Sequence, residues 1–281
     1  MSPRLELLHE PAKGTKNDSP PLLFVHGAFC DASCWALRFM PWFARRGYDC
    51  WAVSLEGHGG SEGRHYLAAV SIDDYVKNLA ATMRRIKTPP ILIGHSMGGY
   101  VIRHYLSHHI PPAVVFLASV PPGGLASSSL RMLTHTPQML MKLNLYQHGV
   151  YDPEFIEVKE MLFSRDAPDE AVEHLIRASQ PESQRALMDM TLVHPLAIGL
   201  PPPVPALVLG AADDMLIPPA DIVGTANLMD ARAEILPHMG HMMMMDTRWE
   251  SVAMRIHEWL EDGRFGHRRQ RETASPPASA T

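Results

Sequence analysis

The chain reads as an α/β protein, a mostly parallel central sheet flanked by helices and interrupted by one all-helical insert. Three observations predict this. Short apolar, β-branched runs alternate with helical patterns over most of the length, the signature of parallel strands joined by crossover helices. At one strand-to-helix junction stands Gly94-His95-Ser96-Met97-Gly98, a turn so tight that glycine is needed on both sides of the serine. From about Ser127 to Leu192 the alternation stops, leaving helical periodicity and turn residues without a convincing strand.

Taken in order, Pro21 to Val25 is a strand ending at His26-Gly27, and Trp35 to Arg46 is a helix stopped by Gly47. Tyr48 to Leu55 carries the next strand, and Gly57-His58-Gly59-Gly60-Ser61 is loop. Ser71 is the N-cap of a helix running to about Ile86, with Asp73 and Asp74 in its positive first turn. Pro89-Pro90 leads into the strand Ile91-Leu92-Ile93, and Tyr100 to Leu106 is the helix beyond the serine turn. Ala113 to Leu117 is a strand that ends in Val120-Pro121-Pro122-Gly123-Gly124. Inside the insert, Pro153-Glu154, Pro168-Asp169-Glu170 and Pro181-Glu182 each read as a helix first turn. Val204 to Leu209 and Ala233 to Leu236 resume the sheet, and Thr247 to Leu260 is a closing amphipathic helix.

The expected organisation is a core built from residues 1–121 and 201–262, with a helical lid over 122–200. The tail 263–281, basic and then rich in Ser, Pro and Ala, is expected to be disordered. Several short helices cannot bury their apolar faces alone. The lid is therefore expected to pack over the strand C-terminal ends, where such sheets bind ligands, and to project over Ser96.

Composition narrows the function classes. A formal charge of -5 gives no electrostatic case for nucleic acid or an anionic membrane. No apolar run approaches the ~18 residues that span a bilayer, and Met1-Ser2-Pro3-Arg4 lacks a signal-peptide pattern. Three cysteines, Cys30, Cys34 and Cys50, are an odd number, so buried free thiols and a cytoplasmic location are expected. No cofactor or metal is expected, because neither Cys30/Cys34 nor His108-His109 has partner ligands at suitable spacing. Met242 to Met245 are read as core filling, as are Met132, Met139, Met141, Met161, Met188 and Met190 of the insert. The insert methionines would also suit a lipophilic acyl chain.

A serine hydroxyl needs an adjacent base, itself oriented by a carboxylate. The chain supplies the order Ser, Asp, His, each after a predicted strand: Ser96, then Asp213-Asp214 in Gly210-Ala211-Ala212-Asp213-Asp214, then His241 in Pro237-His238-Met239-Gly240-His241. With these residues in place, the chain resembles the α/β-hydrolase-fold serine hydrolases. His26-Gly27-Ala28-Phe29 resembles that family's oxyanion-hole loop, and Gly57-His58-Gly59 with Ser61 its Gly-His-Gly-x-Ser segment. Residues 21–120 and 204–262 carry the resemblance. It implies that Ser96 attacks an acyl carbonyl, His241 accepts its proton and Asp214 holds the imidazole. It also implies that the N–H groups of Met97 and of Ala28 or Phe29 bind the oxyanion. Asp214 is preferred to Asp213 because it stands before Pro218 at the family's spacing, and His241 to His238 because it follows Gly240 and precedes the closing helix. Ser54-Leu55-Glu56 departs from the Asp-x-Arg that often precedes Gly-His-Gly in the family.

The expected activity is cofactor-independent hydrolysis of small-molecule carboxylic esters with a lipophilic acyl or alcohol part. The same triad could serve thioester hydrolysis, haloperoxidase-like perhydrolysis or C–C bond hydrolysis. A non-catalytic small-ligand receptor on the same fold is the reading from a different class, and the intact Ser96, Asp214 and His241 argue against it. Oligomeric state is not legible.

Overall fold

The computed structural model describes residues 3–191 and 201–262. The expectation for the tail, and for the last residues of the insert, lies outside the described residues. The chain opens with β1 (Leu7–Glu10), β2 (Leu22–Val25), α1 (Ser33–Ala36), α2 (Phe39–Ala44) and β3 (Cys50–Val53). After a 3-10 turn over Arg64–Ala69 come α3 (Ile72–Arg85), β4 (Ile91–His95), α4 (Met97–Tyr105) and β5 (Val114–Leu117). Five helices follow: α5 (Ala126–His135), α6 (Pro137–Gln147), α7 (Phe155–Leu162), α8 (Asp169–Ala178) and α9 (Gln184–Thr191). β6 (Ala206–Ala211), α10 (Pro219–Leu228), β7 (Ala233–Leu236) and α11 (Trp249–Glu261) complete the described fold.

The seven strands form one sheet in the order β1-β3-β2-β4-β5-β6-β7. Only the β1–β3 pair is antiparallel. The central strands β2, β4 and β5 are buried along their whole length, as expected of parallel strands covered on both faces. Their side chains divide with period two. Leu22, Phe24, Ile91, Ile93, Val115 and Leu117 join one core cluster with Trp35, Phe39, Phe43 and Ile256. Leu23, Val25, Leu92, Val114 and Phe116 join the other with Tyr75, Leu79, Tyr100 and Ile222. Each such side chain contributes about 1.5–3 kcal/mol on burial.

Local chemistry explains both the agreements and the misses. Ser71 caps α3 through a reciprocal box with Asp74, and Arg84 and Arg85 complement the dipole in the last turn. The helix predicted over Trp35–Arg46 is instead two short ones. Pro41 has no N–H to give a preceding turn, so it is accommodated near the start of α2 and not in the middle of a longer helix. β1 was not anticipated: it is short, half charged or titratable, and pairs backwards on an edge. α10 was also missed, its Gly224, Thr225 and Asn227 being poor helix formers.

In the insert, Glu154 and Pro168 are the N-caps of α7 and α8, and α9 starts shortly after Pro181-Glu182. A further start, Pro137 at the head of α6, was not foreseen. Met242 to Met245 form a buried turn ahead of α11, the core filling that was expected of them. All three cysteines are buried and free. Among the described residues no helix is long and apolar enough to cross a membrane, and no cluster of three His, Cys, Asp or Glu residues could hold a metal.

Candidate active site

Ser96 sits between β4 and α4 with φ 50° and ψ −116°, a conformation that L-residues seldom adopt. Crowding enforces it. A Cβ on Gly94 would stand 2.6 Å from Ile102 Cδ1, and one on Gly98 would stand 2.3 Å from the Val25 carbonyl oxygen. Only glycine lets strand and helix come this close. The turn is tied to the sheet by Ser96 N–H donating to Leu117 O (3.0 Å) and Val120 N–H donating to Ser96 O (3.2 Å). Met97 opens α4, so its N–H is among the helix donors with no partner within the helix.

Asp214 lies in the loop after β6, and His241 in the loop after β7. Asp214 Oδ2 accepts from His241 Nδ1 at 2.8 Å, while its Oδ1 accepts the N–H groups of Leu216 and Ile217, each at 2.8 Å. Both side chains are almost completely buried. Three donors thus hold the carboxylate, and the bond at Nδ1 leaves His241 Nε2 free to accept. Asp213 is exposed and gives only its backbone N–H to Met239 O (3.0 Å), and His238 is exposed with φ 54°. The structure thus pairs Asp214 with His241 and leaves Asp213 and His238 outside.

Ser96, Met97, His241, Ala28 and Phe29 all line one cavity of about 680 Å³. Much of its wall comes from the insert, with Met132, Met139, Leu143, Met161 and Met190 among the apolar lining. Met141 and Met188 instead point outward, about 57% and 56% exposed. Ala28 and Phe29 are neighbours on the same wall.

Several supporting groups escaped sequence reasoning. His95 donates through Nε2 to His241 O (3.0 Å). Burial, with the neighbouring His241, holds it well below the usual histidine range and keeps it neutral. His26 donates from Nδ1 to Gly27 O (2.8 Å) and accepts Leu55 N–H at Nε2 (2.9 Å), fixing the loop that carries Ala28 and Phe29. Asp246 accepts four hydrogen bonds, from Gly240 N–H, Thr247 N–H, and both the N–H and hydroxyl of Ser164. It clamps the residue before His241 onto the end of α7. Gly240 permits the approach, since a Cβ there would meet Phe163 backbone at 2.5 Å. The available signal was adjacency: His95 lies inside the serine turn and Asp246 just past the histidine loop.

The family model described as the alpha/beta hydrolase family matches residues 22–255. The chain is 33% identical over 88 residues to a pyrethroid hydrolase of Sphingobium wenxiniae, covering 31% of each chain. It is 33% identical over 107 residues to protein phosphatase methylesterase 1 of Bos taurus, 37% of this chain and 28% of that one. The chain thus spans about a third of the length of the curated relatives it matches. Rv0554 of Mycobacterium tuberculosis is similar in structure, with a TM-score of 0.72 at 20% identity over 92% of this chain and 93% of that one. That likeness speaks to the fold.

Proposed function

The chain belongs to the alpha/beta hydrolase family, and from that premise we propose that it is a serine hydrolase of carboxylic esters with a lipophilic acyl or alcohol part. One observation carries the reading: the strained Ser96 turn and His241, itself paired with Asp214, open onto the same apolar cavity. Similarity to a pyrethroid hydrolase and a methylesterase supports ester cleavage in general. A volume of about 680 Å³ is in the range of small-molecule sites.

In this mechanism His241 Nε2 takes the Ser96 proton as Oγ adds to the ester carbonyl. The N–H groups of Met97 and of Ala28 or Phe29 hold the oxyanion, helped by the positive end of α4. Collapse breaks the ester C–O bond, and the leaving alkoxide takes the proton from His241. Water, deprotonated by the same nitrogen, then cleaves the acyl-enzyme and restores the serine. Asp214 stays ionised throughout, fixing the tautomer and stabilising the imidazolium. The helices α5 to α9 act as the lid, and the lining from α5, α6, α7 and α9 sets acyl-chain preference.

A fluorophosphonate probe should label the protein but not its Ser96→Ala variant. Hydrolysis of p-nitrophenyl esters should fall about 10⁴-fold or more in that variant, since the three residues act as a unit. Activity within tenfold of the unsubstituted chain would overturn the assignment.

A further inference from the structure

The connection between α8 and α9 holds a buried ionic cluster that no step above uses. Glu182 Oε1 accepts from the Tyr75 hydroxyl and from Ser183 N–H, each at 2.6 Å, and Oε2 lies 3.1 Å from His58 Nε2. Both side chains of the His58–Glu182 pair are fully buried. His58 Nδ1 faces the Glu56 carbonyl at 3.0 Å. A carbonyl can only accept, so Nδ1 carries a proton, while Nε2 and Oε2 meet as an ion-pair contact with no hydrogen bond aligned between them. Burial alone would pull His58 down and Glu182 up. The charge of each on the other reverses this, holding His58 above the usual histidine range and Glu182 below the usual carboxylate range.

Such a pair is weak evidence for stability, because a neutral or apolar filling often does as well. What it does here is fix a short segment that touches the site twice. Gln180 N–H donates to Phe29 O at 3.1 Å, and its side chain bridges Gly57 O (2.9 Å) and Gly59 N–H (3.2 Å). Gln147, at the end of α6, exchanges two hydrogen bonds with the Glu182 backbone, and the Tyr146 and Ser179 hydroxyls are bonded to each other. Phe29, Tyr146, Gln147 and Ser179 all line the cavity.

We propose that Glu182 is a positioning residue: its buried charge pair with His58 anchors the Ser179–Ser183 segment, which in turn sets the place of the Phe29 loop and of the cavity wall on α6. The proposal rests on the cavity being the ester site. Tyr75 and Asp74 on α3, Glu56 on the same loop, His26 after β2 and Cys30 before α1 are the other titratable groups around the pair.

The test compares Glu182→Gln, His58→Gln, the double variant and Gln147→Leu. In the unsubstituted chain, NMR titration should find His58 protonated to above the usual histidine range. In Glu182→Gln, where the carboxylate no longer opposes burial, its titration should move down. KM for long-chain p-nitrophenyl esters should rise between about tenfold and a hundredfold in either single variant of the pair, with kcat for the acetate ester moving much less. The double variant should be no worse than the worse single one, the mark of a coupled pair. Gln147→Leu, which cuts the link to α6 and also changes a cavity-lining side chain, should raise KM with His58 titrating as before, and it keeps the test open if Glu182→Gln does not fold. An unchanged His58 titration in Glu182→Gln, additive losses in the double variant, or kinetics of Gln147→Leu equal to the unsubstituted chain would each overturn the proposal. Absence of any ester hydrolysis in the unsubstituted chain would instead strike the proposed function, a result the NMR arm does not depend on.

Discussion

Asp213 and Asp214 are adjacent carboxylates in opposite surroundings, one exposed to water and one enclosed by two N–H groups and an imidazole. Asp214→Asn should therefore cost about 10⁴-fold in kcat, because an amide favours the wrong histidine tautomer, while Asp213→Asn should stay near the unsubstituted rate. Steady-state kinetics on one short ester reads both, and the reverse pattern would hand the role to Asp213. Ser96 and His241 were legible because a short-range motif and chain order single them out. Glu182 and Asp246 were not, since each looks like an ordinary turn acid until the fold brings His58 or Ser164 to it. Asp246→Asn turns one of two carboxylate oxygens, each of which accepts from two donors, into a donor itself. It should lower unfolding free energy by about 1–3 kcal/mol in denaturant titration and loosen the His241 loop.

Among the elements, the strands were easiest to read, because strands buried on both faces leave continuous apolar runs. Helices whose ends are set by proline were read only in part: Pro168 announced α8, but Pro137 at the head of α6 went unread and Pro41 broke an expected helix in two. α6 carries Met139, Leu140, Leu143 and Tyr146 to the cavity, yet none of its residues is fully buried. Its cavity-facing side chains thus have little packing to lose. Met139→Ala and Leu143→Ala should shift the p-nitrophenyl ester chain-length optimum and change acetate turnover much less, since the shortest acyl chain depends least on an apolar wall. Equal loss on all chain lengths would refute α6 as a selectivity wall. At the elbow, Gly98→Ala drives a methyl into the Val25 carbonyl and should abolish activity together with cooperative unfolding.

For the whole molecule, three buried groups contribute to the pH dependence of stability. His95 is held low, so its contribution is present above the ordinary histidine value of 6.5 and is lost as pH falls. Glu182 adds a further loss at more acid pH, below the ordinary 4.5. His58 is held high, so its contribution is present below 6.5 and fades as pH rises through its elevated folded value. Scanning calorimetry of Glu182→Gln against the unsubstituted chain should show the two melting temperatures converging as pH rises above 6.5. Parallel curves across that range would refute the linkage.

The helices α5 to α9 all lie between β5 and β6, which are direct neighbours in the sheet, Val114 pairing with Ala206. The chain thus leaves and rejoins the sheet at adjacent rungs, and topologically the helices are one oversized crossover where about a dozen residues would suffice. Selection can accordingly lengthen, shorten or exchange that crossover without altering any strand pairing. The grip points at Ser164 and Glu182 are what an exchanged segment would have to re-create. The molecule is in this sense a socket with a replaceable fitting: Ser96, Asp214 and His241 stand on loops of the sheet, and much of the cavity wall comes from the crossover.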